Sequence, residues 1–600
     1  MKARPFVRHE KKRETAADRL IAYDFETTRI DKGTPRPLYL TAYSENPIFR
    51  LETRIDSMAH LLELLRDRFL RDDLAGVRFV AWNANNFDSY FIAAALINDS
   101  GYVIRPFMTK SHTLRGLCVS LTEELALPER KQKKWYFLDG IAMLGLSGFP
   151  LVKFLKTFAP NYCKLEGVID FSNEEFNPDR ADHRDYAMRD SVGLWHGMQK
   201  AQTILLRHFG ENLSVTMGAA GIKIFRANIP PGVSIYPPNP GLTDIIRSFL
   251  MRGGFCYCAR RYHGPVWKYD LNQAYAAAMR ECHLPAGRAM QTKGAIHKYA
   301  NIFIARVTAR KDDNPIPFYY RTEQFGRIRA LFAETEIKDT WITCCEYRQL
   351  EAEGWEIEVL ESISWEAHFQ MTDFVNNLET LRMTCEGGPS GAIGTMVKAV
   401  GNHSYGKTSE VLGNETFLIA GDQPPGFEPF YGDGMSPFDH VWMAFEEAKV
   451  KDYHQPQLAS FITASVRMKV RRAALLNPSA WLYADTDCVI YSEDMGKALD
   501  IHPSRYGAWK VEEEGAVYRI IAKKVYQDTA TGAGTAKGLH VRELTDEDFE
   551  RWYHGEEPEQ EQTQRQNFLS VMQGAEMFKK QIRRGTSIEK NNSIQEKILG

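Results

Sequence analysis

The sequence predicts a multidomain chain that is α/β in its first third and α+β beyond. Three observations carry that class. Six hundred residues exceed what one hydrophobic core serves. The first third alternates β-rich runs, at 20–27 and 77–81, with helical patterns at 58–70 and 89–97. A Pro- and Gly-rich stretch, 228–241, reads as a linker, and strands and helices mix after it.

Composition excludes several classes. Apolar residues make up 44% and charged residues 25%, an ordinary balance for a globular enzyme. No run approaches the roughly 20 apolar residues of a membrane helix. The basic N-terminal segment lacks the apolar stretch of a secretory signal, so a cytoplasmic location is expected. The nine cysteines are scattered without zinc-knuckle spacing and read as reduced thiols. Basic runs at 11–13, 130–134, 523–524 and 579–584 are solvated faces unless a catalytic site lies beside them. A loop-rich patch spans 421–437. Beyond Glu556 the chain turns acidic, then Gln-rich, then basic, and reads as helical.

The run Leu20–Thr27 is an apolar strand that ends in acids. Period two puts Asp24 and Glu26 on one face. Two carboxylates aimed one way repel unless a cation sits between them, and a hard divalent metal is the natural partner. A third acid, Asp88, follows Asn83 and Phe87. A fourth, Asp190, stands one helical turn after Tyr186. Singly each has a plain explanation as a solvated edge or a helix surface. As an ordered set they supply what two-metal phosphodiester hydrolysis requires, with Tyr186 placed to orient water.

A second set lies further on. Asp270 ends a strand-like run, followed by Leu271 and Tyr275. Tyr483-Ala-Asp485-Thr-Asp487 lies between β-forming segments, the pattern of a hairpin whose turn presents carboxylates. Between them, Lys398 and Asn402 share one face of an expected helix, with Tyr405, Gly406 and Lys407 after it. Lys524-Val-Tyr526 alternates so that both functional side chains leave one side of a strand.

These motifs resemble those of family B DNA polymerases. The first set is similar to the Exo I, II and III motifs of their proofreading exonucleases. That resemblance implies an RNase H-like 3′→5′ exonuclease domain followed by a right-hand polymerase domain of palm, fingers and thumb. It makes Asp24, Glu26, Asp88 and Asp190 metal ligands and gives Asn83 and Phe87 to single-stranded DNA. It leaves the family's exonuclease lysine open between Lys164 and the register of Glu166. The segments at 270, 398 and 485 are similar to motifs A, B and C. Asp270, the Leu271 carbonyl and Asp487 then hold ions, with Asp485 close by. Lys398 meets the triphosphate, Tyr275 lies under the sugar, and Tyr405 packs on the nascent pair. Asn402, Gly406, Lys407, Lys524 and Tyr526, with Gly253 and Gly254 of a linker motif, are implied DNA contacts. The cofactor implied is Mg2+, with Mn2+ able to substitute, two ions per site. Gly140 stands where a Ser or Thr is usual, Met251 where a Tyr is, and His403 and Cys488 where Ser is.

The interval lengths resemble those of the protein-primed subfamily of phages and linear plasmids. About 120 residues join motifs A and B, and 83 positions separate Asn402 from Asp485. The implied division is exonuclease 1–200 and polymerase 201–600. Within the latter lie palm 240–284 and 455–510, a terminal-protein-region insertion 285–375, fingers 376–408, a second insertion 409–450 and thumb 511–600. The expected partners are primer-template DNA, single-stranded DNA, dNTPs and a terminal protein, the chain being a monomer or its heterodimer with that protein. Two alternatives keep or lose the activity: the same core using nucleic-acid primers or starting de novo, and an inactive DNA-binding scaffold.

Overall fold

The strand Leu20–Thr27 sends alternate side chains into two different cores. Ile21, Tyr23 and Phe25 join one; Leu20 and Ala22 join the other. The computed structural model describes residues 5–10, 19–28, 34–97, 99–109, 112–165, 167–169, 174–411, 413, 415–430, 440–446, 450–572, 575–587 and 597–598. Of the sequence features above, the basic run 11–13, Glu166 and the stretch 431–437 lie outside them.

Leu20–Thr27 lies inside a ten-stranded sheet, parallel to Arg78–Ala81, which is parallel in turn to Lys134–Asp139. Pro37–Glu45 and Ile48–Arg54 extend one side antiparallel. The 29-residue helix Ala181–Phe209 covers the Leu20/Ala22 face. Its buried residues, among them Tyr186, Ala187, Asp190, Ser191, Leu194 and Met198, recur at helical spacing. The Trp195 indole donates to Leu20 O at 3.1 Å, and Thr41 Oγ1 meets Ser191 Oγ at 2.8 Å. The helical pattern at 58–70 appears as Met58–Leu64, continued by a π-turn, Leu65–Phe69.

The second major sheet has seven strands, all antiparallel. Phe255–Cys258, Trp481–Thr486, Cys488–Tyr491, Tyr262–Leu271, Trp509–Ala522, Val525–Asp528 and Gly534–Ala536 follow in spatial order. The helix Pro456–Leu476 packs on its strands Trp481–Thr486 and Cys488–Tyr491, and the helices Ala274–Glu281 and Ala392–Gly406 pack on that helix and on each other. Their buried residues share one continuous core with the Leu20/Ala22 face of the first sheet.

Three features differ from the sequence reading. The stretch 228–241 is more than a linker: Ser234–Ile235 is a strand between Phe6–Val7 and Leu284–Lys293, and the helix Pro240–Ile245 opens inside it. The C-terminal region forms an antiparallel pair, Glu559–Arg565 with Phe578–Arg584, and is helical only at Phe568–Met572 between them. Its Glu, Gln, Lys and Arg are good helix formers, but cross-strand pairing overrides propensity. Lys524 sits in the turn before Val525–Asp528, with φ +62°, so strand alternation does not set its direction.

The 285–375 region carries four strands of a six-stranded sheet, a hairpin (Phe318–Gln324 with Arg327–Ala333) and the helix Cys344–Ala352. In 409–450, Glu415–Ile419 pairs with Val441–Phe445, and Ile419 opposite Ile104 joins this hairpin to the ten-stranded sheet. The C-terminal segment reaches back to the same part of the molecule. Tyr90 packs on Phe568 with ring centroids 5.1 Å apart.

Candidate active sites

Asp24 and Glu26 continue the Leu20/Ala22 face and therefore point at the helix Ala181–Phe209, where Asp190 is buried. Asp24, Glu26 and Asp190 offer carboxylate oxygens that all lie within 4.8 Å of one another. Asp88, at the start of the helix Asp88–Leu96, accepts from Phe25 N at 3.3 Å and so abuts the same strand.

Burial and crowding raise all four acids. Burial, then Glu26, Asp88 and Asp190, hold Asp24 well above the carboxylate range. Glu26 is pushed up to about 7 by burial and Asp190. Asp88 also rises to about 7, chiefly by burial. Asp190 is raised by burial against the pull of Lys164. A buried group of oxygen donors that repel one another fits a hard divalent cation.

Lys164 is the one lysine on this cluster among the described residues. Its Nζ is 2.5 Å from Asp190 Oδ2 and 4.6 Å from the centre of the Tyr186 ring. Burial disfavours its charge, but Asp190 and Tyr186 outweigh that and hold it above the usual lysine range. Burial lifts the Tyr186 phenol to about 12, so it stays protonated.

Asn83 is exposed with φ +67°, and Phe87 is half-buried with its ring edge-on to Phe91. Asp139 holds their loop: its carboxylate accepts from Asn85 N at 2.9 Å and caps the next helix at Ile141 N, 2.7 Å. Sequence reasoning passed over Asp139, for an N-cap acid gives no sign of which loop it also holds. The departure at Gly140 has a steric reason. A Cβ there would lie 2.9 Å from Trp82 Cε3, and Trp82 is fixed by its bond to Phe149 O (3.0 Å) and by stacking on Phe154.

The second set gathers on the seven-stranded sheet. Asp485 and Asp487 flank Thr486 in the turn between Trp481–Thr486 and Cys488–Tyr491. Asp270 pairs with Cys488 on the neighbouring strand, and Leu271 N donates to Asp487 O at 2.8 Å. Asp487 is pushed up to about 7 by burial and the nearby charge of Asp270, with Lys398 opposing. Lys398 is exposed between the buried residues Val397 and Ala399 of its helix. Asn402, half-buried, follows one turn later on that helix. The Tyr275 and Tyr405 rings stack with centroids 5.3 Å apart.

Three lysines here are already partnered within the chain. Lys524 Nζ contacts both oxygens of Asp485, Lys510 contacts Asp270, and Lys407 pairs with Glu410. Tyr526 lies edge-on to Tyr483, 5.6 Å away. Gly254 belongs to the hairpin's support, since a Cβ there would fall 2.6 Å from Thr486 Cα. Nothing crowds Gly253 or Gly406.

Residues 161–423 match the family "DNA polymerase type B, organellar and viral". The DNA polymerase of Streptococcus phage Cp-1 is 23% identical over 545 residues, covering 84% of this chain and 87% of that protein. The Phi29 DNA polymerase ternary complex with primer-template DNA and incoming nucleotide superposes with a TM-score of 0.69 at 16% identity, over 96% of this chain and 100% of that one. Phi29 DNA polymerase with single-stranded DNA gives a TM-score of 0.62 at 16% identity, over 89% and 95%. Part of the sequence thus matches the type B DNA polymerase family of organelles and viruses, and the fold is similar to that of a phage DNA polymerase. This chain's fold is that of the Phi29 DNA polymerase structures.

Proposed function

We propose that the chain is a replicative DNA-directed DNA polymerase with a 3′→5′ proofreading exonuclease, primed by a protein. The observation that carries the two-site reading is the pair of carboxylate clusters, each at the end of a sheet strand, with Asp24, Glu26 and Asp190 converging within 4.8 Å. Residues 1–200 hold the editing site and 201–600 the polymerase, with insertions at 285–375 and 409–450.

In the editing site Asp24, Glu26, Asp88 and Asp190 hold the cations, and Asn83 and Phe87 grip the single strand. Tyr186 Oη–H orients the attacking water while Lys164 pairs with the Asp190 carboxylate. In the polymerase site Asp270, Asp487 and the Leu271 carbonyl are the cation-holding groups. Bound Mg2+, or Mn2+, supplies Lewis acidity and charge neutralisation at both sites. Lys398 meets the triphosphate and Lys524 the primer strand. Tyr275, backed by Tyr405, occupies the space a ribose 2′-OH needs. The primer 3′ oxygen bonds to the α-phosphorus and pyrophosphate leaves.

The likeness to phage polymerases and the two insertions support protein priming. The test is incorporation of labelled dNTP into an SDS-resistant adduct with a protein encoded beside this gene. Extension of a primed oligonucleotide without such an adduct would leave a polymerase that uses nucleic-acid primers or starts de novo. Failure to extend primers or degrade single strands with Mg2+ would defeat the proposal and leave a DNA-binding scaffold.

A further inference from the structure

Lys510 and Glu512 stand beside Asp270 and take no part in the transfer proposed above. The strand Trp509–Ala522 runs antiparallel to Tyr262–Leu271 with Lys510 directly opposite Asp270. Opposed residues share a face of the sheet. A bulge follows: Tyr269 opposes Val511 and Lys268 opposes Glu513, so Glu512 is the extra residue between them. Its carboxylate turns to the same face. The result is a row of alternating charge. Asp270 Oδ1 is 3.3 Å from Lys510 Nζ, Lys510 is 2.9 Å from Glu512, and Glu512 is 2.9 Å from Lys268 Nζ. These side chains are 17% to 35% exposed, so solvent only partly screens them.

We infer that Lys510 is a built-in counter-cation of the polymerase site, which neutralises Asp270 when no divalent ion is bound and competes with that ion. The inference rests on the reading of Asp270 as a cation-holding residue. Two half-buried carboxylates, Asp270 and Asp487, face one region. Without positive charge they repel each other or take up protons. Asp487, by contrast, has no ion pair among the described residues, so the one lysine seated on this pair of acids is Lys510 on Asp270. Lys510 also has a second partner. When Asp270 is taken by a divalent ion, the ammonium remains on Glu512, which Lys268 anchors from the other side. The exchange then needs a side-chain rotation and leaves no charge unpaired.

The test is Mn2+ binding without DNA or nucleotide, read from the free-ion signal in electron paramagnetic resonance. It is done in a D24A/E26A background to remove those editing-site ligands. Lys510→Met should tighten binding by about threefold or more, the size an ion pair of this exposure implies. Lys510→Arg should stay within about twofold of the parent. Adding Asp270→Asn to Lys510→Met should remove the gain. Unchanged or weaker binding in Lys510→Met, or a gain that survives Asp270→Asn, overturns the inference. Lys510→Gln repeats the measurement if the Met variant melts early. A protein that shows the shift but extends no primer would defeat the polymerase reading alone; one that extends primers without the shift would defeat only the role of Lys510.

Discussion

Lys524 Nζ donates to both carboxylate oxygens of Asp485, at 2.8 and 2.7 Å, from a backbone held at φ +62°. The same residue's N–H donates to Tyr483 Oη at 3.0 Å, so main chain and side chain both clamp the strand that ends in the carboxylate turn. A lysine placed this way can hand its charge from Asp485 to a primer phosphate. Lys524→Ala is expected to raise the KM for primer-template roughly three- to tenfold and to reduce the salt slope of DNA binding by about 1. Binding titrations at several salt concentrations read the slope. A change in kcat with neither effect would place Lys524 in catalysis instead.

The two carboxylate clusters should separate by mutation. Asp487→Ala should slow primer extension roughly 10³-fold or more while single-strand degradation continues. Asp24→Ala with Glu26→Ala should do the reverse. Gel assays on primed and single-stranded oligonucleotides decide it. Loss of both activities from either change would mean that the two sites are misassigned or the fold is damaged.

The stacked tyrosines bear on sugar selection. Tyr275 is half-buried against Tyr405, so removing its ring opens space at the expected position of the 2′ carbon. Tyr275→Val should lower discrimination against ribonucleotides by roughly 10- to 200-fold, the range that shape selection supplies. Single-nucleotide incorporation with dNTP and rNTP gives the ratio. An unchanged ratio would leave Tyr275 a packing residue.

The raised carboxyls make a pH prediction. Glu26, Asp88 and Asp487 are each pushed up to about 7, whereas unfolded carboxyls titrate near pH ~4. Between those values the folded state holds more protons than the unfolded state. Its stability therefore falls as pH rises, and the loss is complete once pH passes about 7. Melting in EDTA should occur at a lower temperature at about pH 8 than at about pH 6. Mg2+ should restore part of the difference by binding only the folded form. Glu26→Gln with Asp487→Asn should flatten the profile; an equally steep profile in that variant would contradict the assignment.

Trp82 and Gly140 should behave as one unit. Gly140→Ser inserts atoms where the indole lies, an overpacking worth ~1–3 kcal/mol, and should slow single-strand degradation. Trp82→Ala in the same chain should recover much of the stability, although it also removes the stacking on Phe154. A double-mutant cycle in melting temperature measures the coupling, and additive effects would argue against it.

Read alone, the residues determined a family resemblance, the fold class and which acids to watch, because those signals are local. Two-residue alternation put Asp24 with Glu26, one helical turn put Tyr186 with Asp190, and a β-turn-β pattern put Asp485 beside Asp487. The tertiary structure decided what those groups meet. Lys164 reaches Asp190 through a long-range approach, and its register could not separate it from Glu166. Lys510 faces Asp270 only because the strand pairing and its bulge set that register, and 240 positions of sequence carry no trace of it. The C-terminal strand pair likewise reads as helix by propensity and becomes sheet by pairing. Local spacing records what one element presents; charge pairing across elements depends on packing, which propensity and periodicity do not encode.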